Sequence, residues 1–230
     1  MKRLLLSLTL CLFAVAPAFA DDPPSIVDLP AKGGDATAVA VVYSGDGGWR
    51  DLDKTIGEWL SSQQHYHVVG VDTLKSFWSD RKPDQIAKDL AGIVATADPS
   101  GKLPVLIIGY SFGADVFPFA WDKLSPDLAD RIRLVALLAP ERTTGFHVSV
   151  AGWVGVETGD FDTVPAIATM PAERVLCVYG AEEKADTACT HPTLAAIEKL
   201  ETPGSHHFDE KYIPLARKIV AAFEARQPKP

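Results

Sequence analysis

Gly109-Tyr110-Ser111-Phe112-Gly113 sets a serine between two glycines, directly after the apolar run Pro104-Val105-Leu106-Ile107-Ile108. A hydroxyl placed there suits acyl-transfer chemistry if the chain makes a sharp strand-to-helix turn, because the turn lifts Oγ clear of the backbone. The flanking glycines permit strained dihedrals and let strand and helix approach closely. Such a nucleophile needs a base to take its proton, an acid to orient that base, and N–H donors for the oxyanion.

Candidates for each partner lie elsewhere in the chain. Ser44-Gly45-Asp46-Gly47-Gly48-Trp49 is a glycine-rich loop able to turn backbone N–H groups outward. It offers the amide of Asp46 or Gly45 as one oxyanion donor, with the amide of Phe112 as the second. Pro203-Gly204-Ser205-His206-His207-Phe208 carries two adjacent histidines. His207 is the expected base, since P-G-x-x-H-F is similar to the histidine loop of many serine hydrolases, and His206 is the alternative. The acid is expected in Gly180-Ala181-Glu182-Glu183-Lys184-Ala185-Asp186. Residue type and the segment leading into Cys189 favour Asp186, while distance from the preceding strand favours Glu183; Glu141, one strand earlier, is a further option. Substrate-lining candidates are Trp49, Phe77, Trp78, Tyr110 and Asp115, from aromatics beside cationic groups and from the first turn after the serine. Phe146 to Val156, apolar with interspersed glycines, is either a lid or a surface hairpin.

These junctions follow short β-rich apolar runs that alternate with helical patterns, which predicts an α/β fold with a mainly parallel sheet and helices on both faces. The predicted strands are 38–43, 66–71, 105–108, 134–138, 175–179 and a short one at 199–201. Predicted helices cover 52–63, 83–97, 114–124, 193–198 and 212–226, with Pro118 expected to kink the third or delay its start. In such sheets, ligands gather beyond the carboxyl ends of the strands. The candidate residues fall there.

Residues 1–20 read as a cleavable signal peptide: Lys2 and Arg3, the apolar stretch Leu4 to Val15, and Ala18-Phe19-Ala20 ahead of Asp21. Residues 21–230 are then one exported domain. Losing Lys2 and Arg3 takes the formal net charge from −8 to −10, which argues against a nucleic-acid partner. Cys177 and Cys189 are expected to form a disulfide in an oxidising compartment. No metal or cofactor is called for.

Together, the runs Ser44–Trp49, Phe77-Trp78 before Pro83, Gly109–Val116 and Gly204–Asp209 resemble the VirJ family of bacterial virulence proteins and the C-terminal domain of the related AcvB proteins. The resemblance covers nearly the whole chain after the leader, and 109–116 is its most specific part. It implies an α/β-hydrolase fold, a periplasmic site, and esterase action of Ser111 on aminoacylated phosphatidylglycerol, notably the lysyl form. AcvB-type members carry a large additional N-terminal region, so this chain looks like the short, VirJ-like form, and type IV secretion components are a further partner class. The alternative expectations are a non-catalytic, chaperone-like binding module, and a generic carboxylesterase or thioesterase acting on soluble acyl compounds.

Overall fold

Seven strands build one sheet in the order β1-β3-β2-β4-β5-β8-β9. The computed structural model describes residues 22–148 and 159–228; the leader and residues 149–156 of the expected lid or hairpin lie outside them. The strands are β1 Ile26–Leu29, β2 Ala38–Tyr43, β3 Tyr66–Val71, β4 Val105–Tyr110, β5 Ile132–Leu138, β8 Val175–Gly180 and β9 Glu198–Thr202. All pairings are parallel except β1 with β3. A two-residue ladder, β6 Thr143–Thr144 with β7 Phe161–Asp162, stands apart and packs against the turn after β4. Strands β2, β4 and β8 are buried along their whole length. Apolar side chains on both faces are what a helix-covered parallel sheet requires.

The helices are α1 Asp51–Gln63, α2 Thr73–Ser76, α3 Pro83–Ala97, α4 Phe112–Val116, α5 Pro126–Arg131, α6 Thr163–Ala168 and α7 Tyr212–Glu224. One layer includes Ile86, Leu90 and Val94 of α3 beneath Val39, Val41 and Ile107. The other sets Leu52, Ile56 and Leu60 of α1 and Leu215, Ile219 and Phe223 of α7 against Val42, Ile108 and Ala136. The helical spacing of these residues in sequence gives each helix its apolar stripe.

Several elements differ from expectation. The helix predicted over 114–124 splits into α4 and a 3₁₀ segment, Phe117–Lys123, because Pro118 has no N–H with which to continue an α-helical ladder. The helix predicted at 193–198 is only a 3₁₀ turn, Pro192–Leu194; the chain already enters β9 at Glu198. Lys199 Nζ donates to the carbonyls of Leu194 (2.8 Å) and Ile197 (3.2 Å), closing that turn against the strand. Strand β1 and helices α5 and α6 were not expected.

Cys177, in β8, is bonded to Cys189, which ties the sheet to the segment that follows the strand.

Asp53 of α1 is buried and its Oδ1 has no hydrogen-bond partner among the described residues. Burial pushes its carboxyl from 3.8 up to about 8. An acid whose pKa is raised in the folded state contributes stability below its unfolded value, and that contribution is lost as pH rises toward the folded value. Wild type should therefore lose stability relative to Asp53→Asn between about pH 4 and pH 8. Urea midpoints of the two proteins at pH 5 and pH 8.5 check this.

Candidate active site

Ser111 follows β4 with φ 51° and ψ −121°, a conformation that a non-glycine residue adopts only when its surroundings enforce it. The enforcement is visible on both sides. A Cβ at Gly109 would lie 2.7 Å from Ala114 Cα, and one at Gly113 would lie 2.4 Å from the Tyr43 carbonyl oxygen. Glycine at both ends thus lets α4 fold back over β4 and against the end of β2. Ser111 N–H donates to Leu138 O at 2.8 Å, and Ser111 O accepts from Ala114 and Asp115.

His206 Nε2 lies 2.9 Å from Ser111 Oγ, and His206 Nδ1 lies 2.9 Å from Glu183 Oε1. The carboxylate selects the tautomer with the proton on Nδ1, which leaves the Nε2 lone pair facing the serine hydroxyl. The structure therefore brings together Ser111, His206 and Glu183. Contrary to expectation, it brings neither His207 nor Asp186 to the serine; His206 and Glu183 stand in those places.

The reasons are local. Phe208 buries its ring against the sheet, and the chain runs left-handed through Phe208, Asp209 and Glu210, with φ of 52°, 51° and 57°. His206 is left over Ser111, while His207 Nδ1 shares a 2.9 Å hydrogen bond with the Tyr110 hydroxyl. On the acid side, Gly180 ends β8 without a side chain; a Cβ there would stand 2.5 Å from the carbonyl oxygens of Gly204 and Ser205. That close approach, with Glu182 N–H donating to Gly204 O at 3.1 Å, sets the 181–183 turn beside the histidine loop. Asp186 is exposed one turn later, where the chain is tied to the other side. Arg142 Nη2 donates to Ala185 O (2.7 Å) and Thr187 Oγ1 to Pro140 O (3.0 Å). Glu141, the third acid option, follows β5 and is exposed.

In the glycine-rich loop, Gly48 N–H donates to Gly45 O at 3.0 Å, and Gly48 takes φ +79°. A Cβ at Gly45 would sit 3.5 Å from Ser111 Cβ and 3.4 Å from the Tyr110 ring, so this backbone borders the serine. Phe112 opens α4, a position whose N–H has no partner within the helix. Gly45 thus lies against the serine, with Asp46 next to it in the loop and Phe112 directly after the serine in the chain.

The substrate-lining candidates divide. Trp78 is 66% exposed. Trp49 instead covers the backbone of β3 and α1: a Cβ at Gly70 would come within 2.2 Å of its ring, and one at Gly57 within 3.1 Å. Phe77 is fully buried and packs edge-on to Phe112 with ring centroids 5.2 Å apart, so it supports the turn rather than lining a surface. The Tyr110 ring lies 5.4 Å from the His206 ring. Asp115 is 4% exposed, and its Oδ1 accepts the Glu141 N–H at 2.8 Å. Burial, followed by the charges of Glu141 and Asp46, holds its carboxyl well above the usual range. Its place is inside the wall of the site.

Phe119, Phe146 and Phe161 form an aromatic cluster that the sequence did not reveal, with centroids 4.8 to 6.2 Å apart. They come from three separate elements, so no spacing links them. Phe146–Val148, the described start of the proposed lid, is tied to the 77–81 loop by Val148 N–H to Phe77 O (2.7 Å) and Arg81 N–H to Phe146 O (2.9 Å).

A family model described as bacterial virulence protein (VirJ) matches residues 37–227. The chain belongs to the VirJ family. None of the curated proteins matches it in sequence. Among solved structures, MenH from S. aureus is similar at a TM-score of 0.63 and 12% identity, covering 88% of this chain and 99% of that one. The enol-lactonase from Burkholderia xenovorans LB400 is similar at 0.60 and 15%, covering 87% and 96%. The Mycobacterium smegmatis proline iminopeptidase is similar at 0.56 and 12%, covering 88% and 96%. These likenesses, with the mostly parallel sheet, give this member of the family an α/β-hydrolase fold.

Proposed function

We propose that this protein is a serine esterase of the periplasm that cleaves aminoacylated phosphatidylglycerol, notably the lysyl form. The observation that carries the catalytic part is the continuous chain of two 2.9 Å contacts from Ser111 Oγ through His206 to Glu183. Ser111 Oγ attacks the ester carbonyl as its proton passes to His206 Nε2, and Glu183 stabilises the imidazolium. The amides of Asp46 and Phe112 take the oxyanion. His206 then protonates the departing glycerol oxygen of the lipid, which leaves as a hydroxyl, and the aminoacyl-serine that remains is hydrolysed by water activated by the same imidazole.

The substrate class rests on the family resemblance. The charges of Asp46 and Glu141, both felt at Asp115 beside the turn, suit a cationic aminoacyl group. The exposed rings of Trp78 and Phe161 suit work close to a lipid surface. The leader-like residues 1–20 and the Cys177–Cys189 bond fit an exported protein.

Release of lysine from vesicles containing lysyl-phosphatidylglycerol should be catalysed by wild type and fall about 10⁴-fold or more in Ser111→Ala. Turnover of soluble p-nitrophenyl esters but not of the vesicles would reassign the protein as a generic esterase. Inertness toward both would leave a binding module on a hydrolase fold.

A further inference from the structure

The buried hydroxyls of Ser44 and Thr73 are not members of the catalytic trio, yet both converge on one peptide group beside it. Gly45 O accepts from Thr73 Oγ1 and from Gly48 N–H at 3.0 Å, and Ser44 Oγ lies 3.2 Å from it. We infer that Thr73, together with Ser44, is a positioning residue that holds the Gly45–Asp46 peptide with its N–H turned toward Ser111, and so keeps the oxyanion site assembled. This inference rests on the serine-esterase reading above.

In a trans peptide the C=O and N–H point in opposite directions. Donors gathered on the Gly45 carbonyl fix that end away from the serine and direct the Asp46 N–H to the other side. Gly45 itself borders Ser111 and carries no side chain that would resist rotation of this peptide, and Gly47 and Gly48 follow within the same turn. Rotation of this peptide is free at ψ of Gly45 and is opposed within the backbone only at φ of Asp46. Flipped, it would present a carbonyl dipole to the developing oxyanion and reverse its contribution to catalysis.

The clamp is held rigidly. Thr73 and Ser44 are fully buried. Thr73 opens α2 behind the cap Asp72, which accepts the Lys75 N–H at 3.3 Å. Ser44 N–H donates to Val71 O at 3.1 Å. The two hydroxyls are 3.0 Å apart, and Thr73 N–H donates to Ser44 Oγ at 3.0 Å. One consistent proton order runs from Thr73 N–H to Ser44 Oγ, from Ser44 O–H to Thr73 Oγ1, and from Thr73 O–H to Gly45 O. Every hydroxyl proton is then used, and the last falls on the carbonyl that must be restrained.

Thr73→Val keeps the side-chain shape and deletes the donor. With a soluble p-nitrophenyl ester, its kcat should fall about 10- to 100-fold with KM within about threefold of wild type, below the loss expected from removing an oxyanion donor outright. Thr73→Ser should recover most of the rate, and a crystal structure of Thr73→Val should show the Gly45–Asp46 peptide rotated. A purely structural role would lower Tm in Thr73→Val and leave kcat intact, which overturns the inference, as does a variant that retains both rate and peptide orientation. If Thr73→Val does not fold, Ser44→Ala reads the same clamp by the same two measurements. If wild type hydrolyses no ester, the esterase reading fails, while the peptide orientation in the variant crystal still decides whether the clamp exists.

Discussion

His206→Asn is expected to lower kcat/KM about 10⁴-fold or more, while His207→Asn costs about tenfold at most. The asymmetry follows from what each ring touches. His206 alone joins the serine hydroxyl to a carboxylate, so its loss removes the general base for acylation and the general acid for the leaving alcohol in one step. His207 contacts Tyr110, a residue of the strand end. Its loss loosens the histidine loop without removing a proton acceptor. On the acid side, Glu183→Gln should cost about 10²- to 10⁴-fold, since a neutral amide no longer stabilises the imidazolium. Asp186→Asn should stay within about threefold of wild type. Initial rates for the four variants, each checked for folding by circular dichroism, measure the contrast.

Gly113→Ala is expected to be strongly destabilising. The added methyl would meet the carbonyl oxygens of Tyr43 at 2.4 Å and Ser44 at 2.6 Å. Both belong to the backbone at the end of a buried central strand, so neither can swing aside as a side chain would. Either α4 lifts from the sheet or β2 shifts, and each breaks packing on which the serine turn depends. Overpacking of this kind costs about 3 kcal/mol or more, which for a domain near 200 residues lowers Tm by about 10 °C. Gly92→Ala, on the exposed face of α3 with nothing within 4 Å of the new methyl, is the matched control. It should leave Tm unchanged or raise it, because alanine favours the helix. Thermal unfolding of the three proteins reads the difference.

The central strands were legible in the sequence because burial on both faces leaves near-continuous apolar runs with no competing period. Strand β1 was not: Ile26–Leu29 has four residues, alternates between half-buried and exposed, and owes its place to pairing with β3 at the sheet edge. Ser111 was legible because local chemistry specifies it, through two glycines whose missing side chains are needed at fixed offsets. The choice between His206 and His207 was not. It depends on a left-handed path through Phe208, Asp209 and Glu210, none of them glycine, which burial of Phe208 imposes from outside the motif. Glu183 was within reach of sequence reasoning: Gly180 at the strand end marks a close backbone approach, and the acid lies three residues beyond it. Residue type and the cysteine-linked segment point instead to Asp186, which lies one turn too far along the chain. Trp49 and Phe77 read as site aromatics because their loops adjoin the site, yet their rings turn inward, one over Gly70 and the other against Phe112. Thr73 had no signature at all, since its partner is a carbonyl almost thirty residues earlier in the chain.

The most direct measurement is the site of covalent modification by a fluorophosphonate. Wild-type protein should take up one equivalent, mapped by tandem mass spectrometry to Ser111 and absent from His206→Asn at the same reagent concentration. An adduct on another residue, or a folded wild-type protein that takes up no reagent, would contradict the assignment of Ser111 as a nucleophile activated by His206.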